Sequence, residues 1–359
     1  MRLWCAMAVG AVLAASGCAH RWPATPTAAL SCRGLQRPAS PLPGWITLPG
    51  NSRTSALLSR WCETVGPVFF KPDPGAAAPD AVDRLAIISW NIHEGRGDVR
   101  GLIRRLRLGE FTHGEPPDQF VLLLQEATRR DDSVPARVPP GYPTPHRIAG
   151  RSGSPDGDVV PLADEGFAVL YAPSMRNGEH GGMGEDRGNA IVSTLSLTDP
   201  ELIELPLERQ RRVAVVAAIE GRSRSGTRWR LGVVDAHLDT ALALGRGGPF
   251  AARRRQATAL IDALRLSPTF RGGSAAVLAG DFNTWMGRRE PAFSLLHQEF
   301  PNATISADAP PTWTGPLGLH ATLDHIFVRG PFVPGPVTRL PGRFGSDHYP
   351  LLTVVRFTE

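Results

Sequence analysis

From residue 85 onward, short apolar runs of strand length alternate with polar segments that contain glycine, proline or charged residues. Runs of this length between chain-breaking residues are typical of buried strands. The pattern predicts strands at 85–90, 120–124, 167–171, 189–195, 212–219, 229–235, 275–279, 323–328 and 350–356.

Only a few segments repeat their apolar residues at helical spacing, three and four positions apart. They predict helices at 52–64, 98–107, 250–265 and 290–298. Many strands with few helices predict an α+β protein in which two packed, mainly antiparallel sheets are covered by outer helices.

The N-terminus has the features of an export signal. Arg2 is followed by an apolar run that ends in small residues before Cys18. The run is too short to span a bilayer as a stable helix, so residues 1–18 are predicted to be a signal peptide. Small residues directly before a cysteine resemble a bacterial lipoprotein processing site, which predicts a lipid anchor at Cys18 and a location in the cell envelope, at the outer membrane or in the periplasm. Ordinary cleavage after Ala19 is the alternative.

Either cleavage leaves Cys32 and Cys62 as an even pair, and in an oxidising compartment this pair predicts a disulfide. Residues 19–83 are rich in proline and predict an extended tether with one short helical segment. The main domain is then expected at 84–359.

The composition fits a globular protein, with 42% hydrophobic and 20% charged residues. The formal net charge is +5, and Lys71 is the only lysine. Arginine binds phosphate through a bidentate fork, so a phosphate-bearing partner is reasonable. An arginine bias from GC-rich codon usage explains the near-absence of lysine better, because charge alone informs only about solubility and partners.

Five predicted strands end or begin at residues that carry chemistry. The motifs are Ser89-Trp90-Asn91-Ile92, Gln125-Glu126, Asp235-Ala236-His237-Leu238, Gly280-Asp281-Phe282-Asn283 and Ser346-Asp347-His348-Tyr349. Active sites are often assembled in this way from distant parts of a sequence. The sequence shows no serine-nucleophile motif, Walker loop, dinucleotide fingerprint or zinc-type cluster, which leaves displacement assisted by histidine and an oxygen-ligated metal.

Each motif also has a structural interpretation. Glu126 lies at the end of a buried strand. It could be a ligand of Mg²⁺, which needs few protein carboxylates, or it could form a salt bridge to Arg129 or Arg130. A lone histidine such as His237 is more often structural than catalytic. Asp281 and Asn283, two residues apart, suit a nucleophile and a phosphoryl group, or an Asx turn.

Two Asp-His dipeptides lie near the C-terminus, one at Asp324 and one at Asp347. An aspartate that accepts a proton from an imidazole fixes its tautomer and raises its basicity. These dipeptides therefore predict an oriented base or an electrostatic stabiliser.

Together the motifs resemble the endonuclease/exonuclease/phosphatase superfamily, over residues 85–357. Supporting segments are Arg187-Gly188-Asn189-Ala190-Ile191-Val192-Ser193, Pro311-Thr312-Trp313 and the pair Arg253 and Gln256, which is expected to be structural. The resemblance implies a four-layer α/β/β/α sandwich of the DNase I-like type, with 84–359 as the catalytic domain.

The resemblance also implies residue roles. Asn91 and Glu126 would hold Mg²⁺ or Mn²⁺, with Asp347 as a further carboxylate beside the metal. His237 would contact the phosphate and help the leaving group depart. Asp281 and Asn283 would position water and stabilise the transition state. Asp324 would orient the final histidine, and that histidine, His348, would activate water or stabilise charge.

Several positions depart from the pattern. His93 stands where abasic-site enzymes carry an aspartate beside the metal, and the DNA-contacting arginine is missing after Glu126, where Arg129 or Arg130 could substitute by analogy. Glu165 is the one candidate for a carboxylate partner of His237.

The function expected from the resemblance is an exported, metal-dependent phosphoesterase that hydrolyses phosphodiesters, first of all in nucleic acid. The alternatives are a phospholipid, sphingomyelin-type or small-molecule phosphodiesterase or phosphatase, and a non-catalytic binding lipoprotein. The expected partners are the phosphodiester substrate and, through the lipid anchor, a membrane; the protein is expected to be a monomer.

Overall fold

The computed structural model describes residues 31–34, 42–47, 52–76, 79, 81–117, 119–138, 140–142, 157–240, 248, 250–302 and 309–357. The predicted signal peptide and lipid anchor lie outside these residues. No helix in the described part is long and apolar enough to cross a membrane.

The described residues form four α-helices and sixteen strands. The helices are α1 Ser52–Cys62, α2 Val99–Arg107, α3 Ala251–Leu266 and α4 Pro291–Glu299. The strands are β1 Gly44–Thr47, β2 Phe69–Lys71, β3 Arg84–Asn91, β4 Phe120–Arg129, β5 Ala168–His180, β6 Met183–Ser193, β7 Thr198–Glu204, β8 Val213–Arg222, β9 Arg228–His237, β10 Ala276–Asp281, β11 Trp313–Thr314, β12 His320–Ala321, β13 Asp324–Arg329, β14 Val333–Pro334, β15 Thr338–Arg339 and β16 Leu351–Arg356.

Two large sheets contain most of these strands. The six-stranded sheet has the order β1-β7-β8-β9-β10-β13, and the eight-stranded sheet has the order β14-β16-β3-β4-β6-β5-β2, with β15 also paired to β16. Most neighbours are antiparallel, but β9 and β10 run parallel, as do β3 and β4, and β1 and β7 at one edge. Near its middle, each sheet therefore has two adjacent strands whose carboxyl ends lie side by side.

Three buried apolar clusters define four layers. Alternate residues of β3 belong to two different clusters. Leu85 and Ile87 lie in the cluster between the two sheets, whereas Ala86 and Ile88 lie in the cluster between the eight-stranded sheet and α2. The third cluster lies between the six-stranded sheet and helices α3 and α4. The fold is an α/β/β/α sandwich, as predicted.

All nine predicted strands and all four predicted helices are confirmed, most with small shifts at their ends. The largest shifts are those of β5, which runs nine residues beyond its predicted end at 171, and β6, which begins six residues before its predicted start at 189. The short strands of the N-terminal segment, of the 198–204 region and of the 313–339 region were not predicted. Those segments carry too few consecutive apolar residues to produce a strand signal of their own.

The expectation that residues 19–83 form a tether is wrong for the described part of that range. Strand β1 pairs with β7 at one sheet edge, and β2 pairs with β5 at the far edge of the other sheet. Trp45 packs against the cluster between the sheets, and Ile46 packs on the outer cluster beside α3. A few buried side chains and a free sheet edge are enough to fix this segment in spite of its prolines.

The disulfide prediction is confirmed, since Cys32 and Cys62 are bonded with their Cα atoms 5.0 Å apart. Both cysteines are fully buried and pack with Val65. The bond joins the segment before β1 to the end of α1. For a loop of 30 residues, restricting the unfolded chain contributes about 3.5 kcal/mol to the free energy of unfolding.

Candidate active site

Three neighbouring strands of the six-stranded sheet each contribute one candidate catalytic residue, and the three residues are in register. Asp281, the last residue of β10, is in register with His237 on β9 and with Asp324 on β13. Gly280 makes this possible, because a Cβ there would lie 1.8 Å from the carbonyl oxygen of Ala236 on the neighbouring strand. Three predicted site residues are therefore adjacent although they are distant in sequence.

The eight-stranded sheet contributes the opposite side of the site. Asn91 ends β3 and is in register with Gln125 on β4, one residue before Glu126. The Asn91 Nδ2 atom donates a hydrogen bond of 2.9 Å to Oδ2 of Asp281. This contact joins the two sheets at the ends of their parallel strands.

Asp281 lies at the centre of the site and is 2% exposed. Its Oδ1 atom accepts the backbone N–H of Asn283 at 2.9 Å. Burial, together with the negative charge of Asp324, raises the pKa of Asp281 to about 7. The carboxyl group is thus held in place by hydrogen bonds and has the basicity of a group that can accept a proton near neutral pH.

Asn283 is just beyond the strand, with a positive φ of 50°. Its backbone N–H closes an Asx turn onto Asp281, and its Nδ2 atom donates to the carbonyl of Leu238 at 3.0 Å. The two interpretations of this motif are therefore compatible: the turn is present, and it holds both polar side chains at the site.

Asp324 orients His348, as expected from the resemblance. Nδ1 of His348 donates to Asp324 at 2.8 Å, and its Nε2 lies 3.7 Å from Oδ2 of Asp281. Burial disfavours the imidazolium, but the carboxylates of Asp324 and Asp281 outweigh it and raise the pKa of His348 to about 10. His348 is a fixed positive charge beside Asp281. The other dipeptide histidine, His325, is not at the site.

His325 is instead a core residue, where burial lowers its pKa to about 3. Its Nε2 atom is 2.8 Å from the hydroxyl of Thr284, and its ring packs among Phe282, Phe293 and Phe327.

Glu126 is placed by a β-bulge. The register between β4 and β6 shifts between Gln125 and Ala127, and Glu126 has a positive φ of 55°, a conformation that costs energy for a non-glycine residue. Its Oε2 atom accepts the N–H of Glu94 at 2.9 Å and lies 3.7 Å from Arg187. Burial would raise the pKa of Glu126, but the positive charges of Arg187 and Arg212 outweigh it, so the pKa is lowered.

Neither arginine after Glu126 is its partner. Arg129 is fully buried and pairs with Asp186, and Arg130 pairs with Glu185. The predicted alternative of a salt bridge from Glu126 to one of them is therefore wrong.

Asp347 lies next to His93, whose Nδ1 is 2.9 Å from Oδ1 of Asp347. The indole of Trp313 donates to Oδ2 at 3.0 Å. Burial would raise the pKa of Asp347, but His93 and His348 outweigh it and lower the pKa to about 2. A carboxylate that stays ionised suits a cation.

The donor atoms here fit Mg²⁺ or Mn²⁺. Glu126, Asn91 and Asp347 offer carboxylate and amide oxygens, which are the ligands that such hard cations prefer. Ligand atoms of Asp281, Asp324 and His348 also lie within 4.8 Å of one another. This second group could also hold a cation, and within it Nδ1 of His348 contacts Asp324.

His237 has a partner that the sequence did not reveal. Its Nδ1 atom lies 3.0 Å from a terminal nitrogen of the Arg212 guanidinium, and its Nε2 lies 3.5 Å from Oδ2 of Asp281. Burial and the charge of Arg212 lower the pKa of His237 well below its usual value. The suggested partner, Glu165, pairs instead with Arg100 at the surface, so that prediction is wrong.

The remaining segments of the resemblance support the site from outside. The Arg253 guanidinium pairs with the buried Glu290, and Gln256 accepts the N–H of Asp239 at 2.8 Å. The first contact holds α3 to the start of α4, and the second holds Asp239, just after β9, to α3, so both residues have the predicted structural role.

Comparison with known proteins agrees with this geometry. The Endonuclease/Exonuclease/phosphatase family model matches residues 88–348. The structure of an endonuclease/exonuclease/phosphatase from Beutenbergia cavernae DSM 12333 is 18% identical, covers 77% of this chain and 72% of that chain, and has a TM-score of 0.51. The human Nocturnin catalytic domain with bound sulfate is 20% identical, covers 78% of this chain and 97% of that chain, and has a TM-score of 0.47.

No curated protein matches the chain. The family match spans most of its length, from the middle of β3 to His348. It includes every residue assigned above to the candidate site. The chain therefore belongs to the Endonuclease/Exonuclease/phosphatase family.

Proposed function

We propose that this protein is a metal-dependent phosphodiesterase whose preferred substrate class is nucleic acid. The observation that carries the proposal is the surroundings of Asp281, a buried carboxyl group that contacts Asn91 and has His237 and His348 on either side. A basic carboxylate between one amide and two imidazoles can orient water and stabilise a phosphoryl group together.

The proposed reaction is an in-line displacement. Asp281 accepts a proton from a water molecule as the oxygen of that water bonds to phosphorus. The ester P–O bond on the opposite side breaks, and the leaving group departs with the electron pair of that bond as an alkoxide, which takes up a proton from solvent. The imidazolium of His348 and the amide of Asn283 stabilise the negative charge that develops on the phosphoryl oxygens. A cation held by Glu126, Asn91 and Asp347 would neutralise further charge on the phosphate when bound.

Two tryptophans beside the site support nucleic acid as the substrate class. The rings of Trp285 and Trp313 meet edge to face, with centroids 5.1 Å apart, and both are partly exposed. Trp313 also hydrogen-bonds Asp347. Aromatic side chains next to a phosphate site are surfaces on which nucleic-acid bases stack.

A phospholipid is the second candidate, because the loop after Trp313 exposes apolar side chains. Leu317 is fully exposed and Leu319 is 59% exposed. Apolar side chains of this kind suit the acyl region of a lipid better than they suit a base.

Three further proposals concern location and assembly. We propose that the protein is exported, which the buried disulfide supports because such bonds persist in oxidising compartments. We also propose that Cys18 carries the lipid anchor and that the protein acts as a monomer. Mass spectrometry of the mature protein would test the anchor; an unmodified N-terminus at residue 20 would contradict it.

The activity is tested by the rate of hydrolysis of bis(p-nitrophenyl) phosphate, first with a metal chelator present and then with Mg²⁺ or Mn²⁺ added. Turnover that requires the cation supports the proposal, and folded protein without turnover contradicts it. A panel of plasmid DNA, RNA, sphingomyelin and inositol phosphates then separates the substrate classes. Preference for the lipid would replace nucleic acid with the second candidate.

A further inference from the structure

Arg212 is a buried arginine that none of the site motifs includes. It directly precedes β8 and is 4% exposed. One terminal nitrogen lies 3.0 Å from Nδ1 of His237, and the other donates to the side-chain oxygen of Gln210 at 3.1 Å. The guanidinium is thus fixed in one orientation against the imidazole.

The chemistry of this contact determines where His237 carries its proton. A guanidinium has five N–H donors and no acceptor. Nδ1 of His237 must therefore accept, which leaves the ring proton on Nε2. A carboxylate partner would have the opposite effect, because it would accept from Nδ1 and leave Nε2 without a proton in the neutral ring.

The proton on Nε2 has no partner in the described part of the protein. Nε2 is buried and makes no hydrogen bond, although it faces Asp281 at 3.5 Å. Buried polar groups are almost always hydrogen-bonded in native proteins, so an unpaired one at a site requires an explanation. A non-bridging phosphate oxygen would accept this proton.

Arg212 differs from its neighbour in the pairing of its charge. Arg211 forms a buried ion pair with Glu204 at 2.9 Å, whereas Arg212 has no direct ion pair among the described residues. Burial lowers the pKa of Arg212, although the carboxylates of Asp239 and Glu126 favour its charged form without touching it. An anionic substrate in direct contact would stabilise this buried cation further.

We propose that Arg212 is a positioning residue that fixes His237 as the Nε2–H tautomer, so that His237 donates a hydrogen bond to the phosphate. The choice of phosphate as acceptor rests on the proposed function. The tautomer itself does not, because it follows from the Arg212 contact alone.

The tautomer is tested on full-length protein labelled with ¹⁵N-histidine. Two-bond proton–nitrogen spectra distinguish a protonated from a bare ring nitrogen, and His237→Gln assigns the signal. We expect a protonated Nε2 and a bare Nδ1 in the parent protein and in Arg212→Lys, which keeps a donor. In Arg212→Met we expect a mixture of tautomers. A proton on Nδ1 in the parent protein, or an unchanged signal in Arg212→Met, would overturn the proposal.

Kinetics provide the second readout. With bis(p-nitrophenyl) phosphate, Arg212→Met should lose at least ~30-fold in kcat/KM, and Arg212→Lys should recover part of that loss. Arg255→Met is the control, since Arg255 pairs with Glu208 at the surface and should leave the rate unchanged. Equal losses in the lysine and methionine variants would overturn the positioning role. A parent protein that shows the expected tautomer but no turnover would refute the proposed function and leave the tautomer assignment intact.

Discussion

Replacing Asp324 by asparagine isolates the contribution of one buried charge to the site. Asp324 is 1% exposed, and its carboxylate accepts the Nδ1 proton of His348 at 2.8 Å and 3.1 Å. Its backbone N–H is fixed separately by the hydroxyl of Thr312. The substitution keeps the size and position of the side chain but removes the charge that holds His348 as an imidazolium.

The expected loss follows from the strength of such a contact. A hydrogen bond to a charged group contributes about 1.5–3 kcal/mol. Asp324 is the largest favourable influence on the charged form of His348, which is otherwise opposed by burial. Since His348 is proposed to stabilise charge in the transition state, the upper part of this range applies. About 3 kcal/mol corresponds to a loss of roughly 10²-fold in kcat.

The assay compares kcat for bis(p-nitrophenyl) phosphate at saturating Mg²⁺ or Mn²⁺ in the parent protein and in Asp324→Asn. Asp262→Asn is the matched control, because Asp262 is a surface residue of α3 whose contact is with Arg265. Thermal unfolding verifies that both variants are folded. If Asp324→Asn is folded and its kcat stays within about threefold of the parent, His348 does not depend on Asp324 and the reasoning fails.

Two further predictions concern stability. Cys32→Ser should lower the free energy of unfolding in urea by about 3.5 kcal/mol, and reductant should lower it equally in the parent protein; no change in either case would show that the bond is not formed. Burial raises the pKa of Asp235 from 3.8 to about 8, so the folded state keeps a proton that the unfolded state loses, and stability should fall as pH rises between these values. Asp235→Asn should reduce the slope of stability with pH in urea unfolding from pH 5 to 9, leaving the part due to Asp281 and His348; an identical slope in both proteins would contradict it.

The sequence predicted the main strands and the site because both depend on local pattern. Each long buried strand produces its own apolar run, and each catalytic side chain directly follows or precedes one. Asn91, Asp281 and His348 could be located in this way before their mutual contacts were known. The order of the motifs along the chain then identified the family.

What the sequence did not predict depends on pairing between strands. Val215 is in register with Asp235, which places residue 213 opposite His237 and brings Arg212 to its ring. A pair of adjacent arginines gives no local sign that Arg211 pairs with Glu204 while Arg212 contacts the active-site histidine. The same holds for the bulge at Glu126 and for β1, whose few apolar residues are partly buried only because a sheet edge is available.

The central claim is that Asp281 lies at the centre of a metal-dependent phosphodiesterase. It is tested most directly by the rate of phosphodiester hydrolysis in the parent protein and in Asp281→Ala, each with added Mg²⁺ or Mn²⁺ and each in chelator. The parent protein should turn over substrate only with the cation, and the folded variant should lose at least ~10²-fold in rate. Equal rates in the two proteins, or no turnover by folded parent protein with either metal, would contradict it.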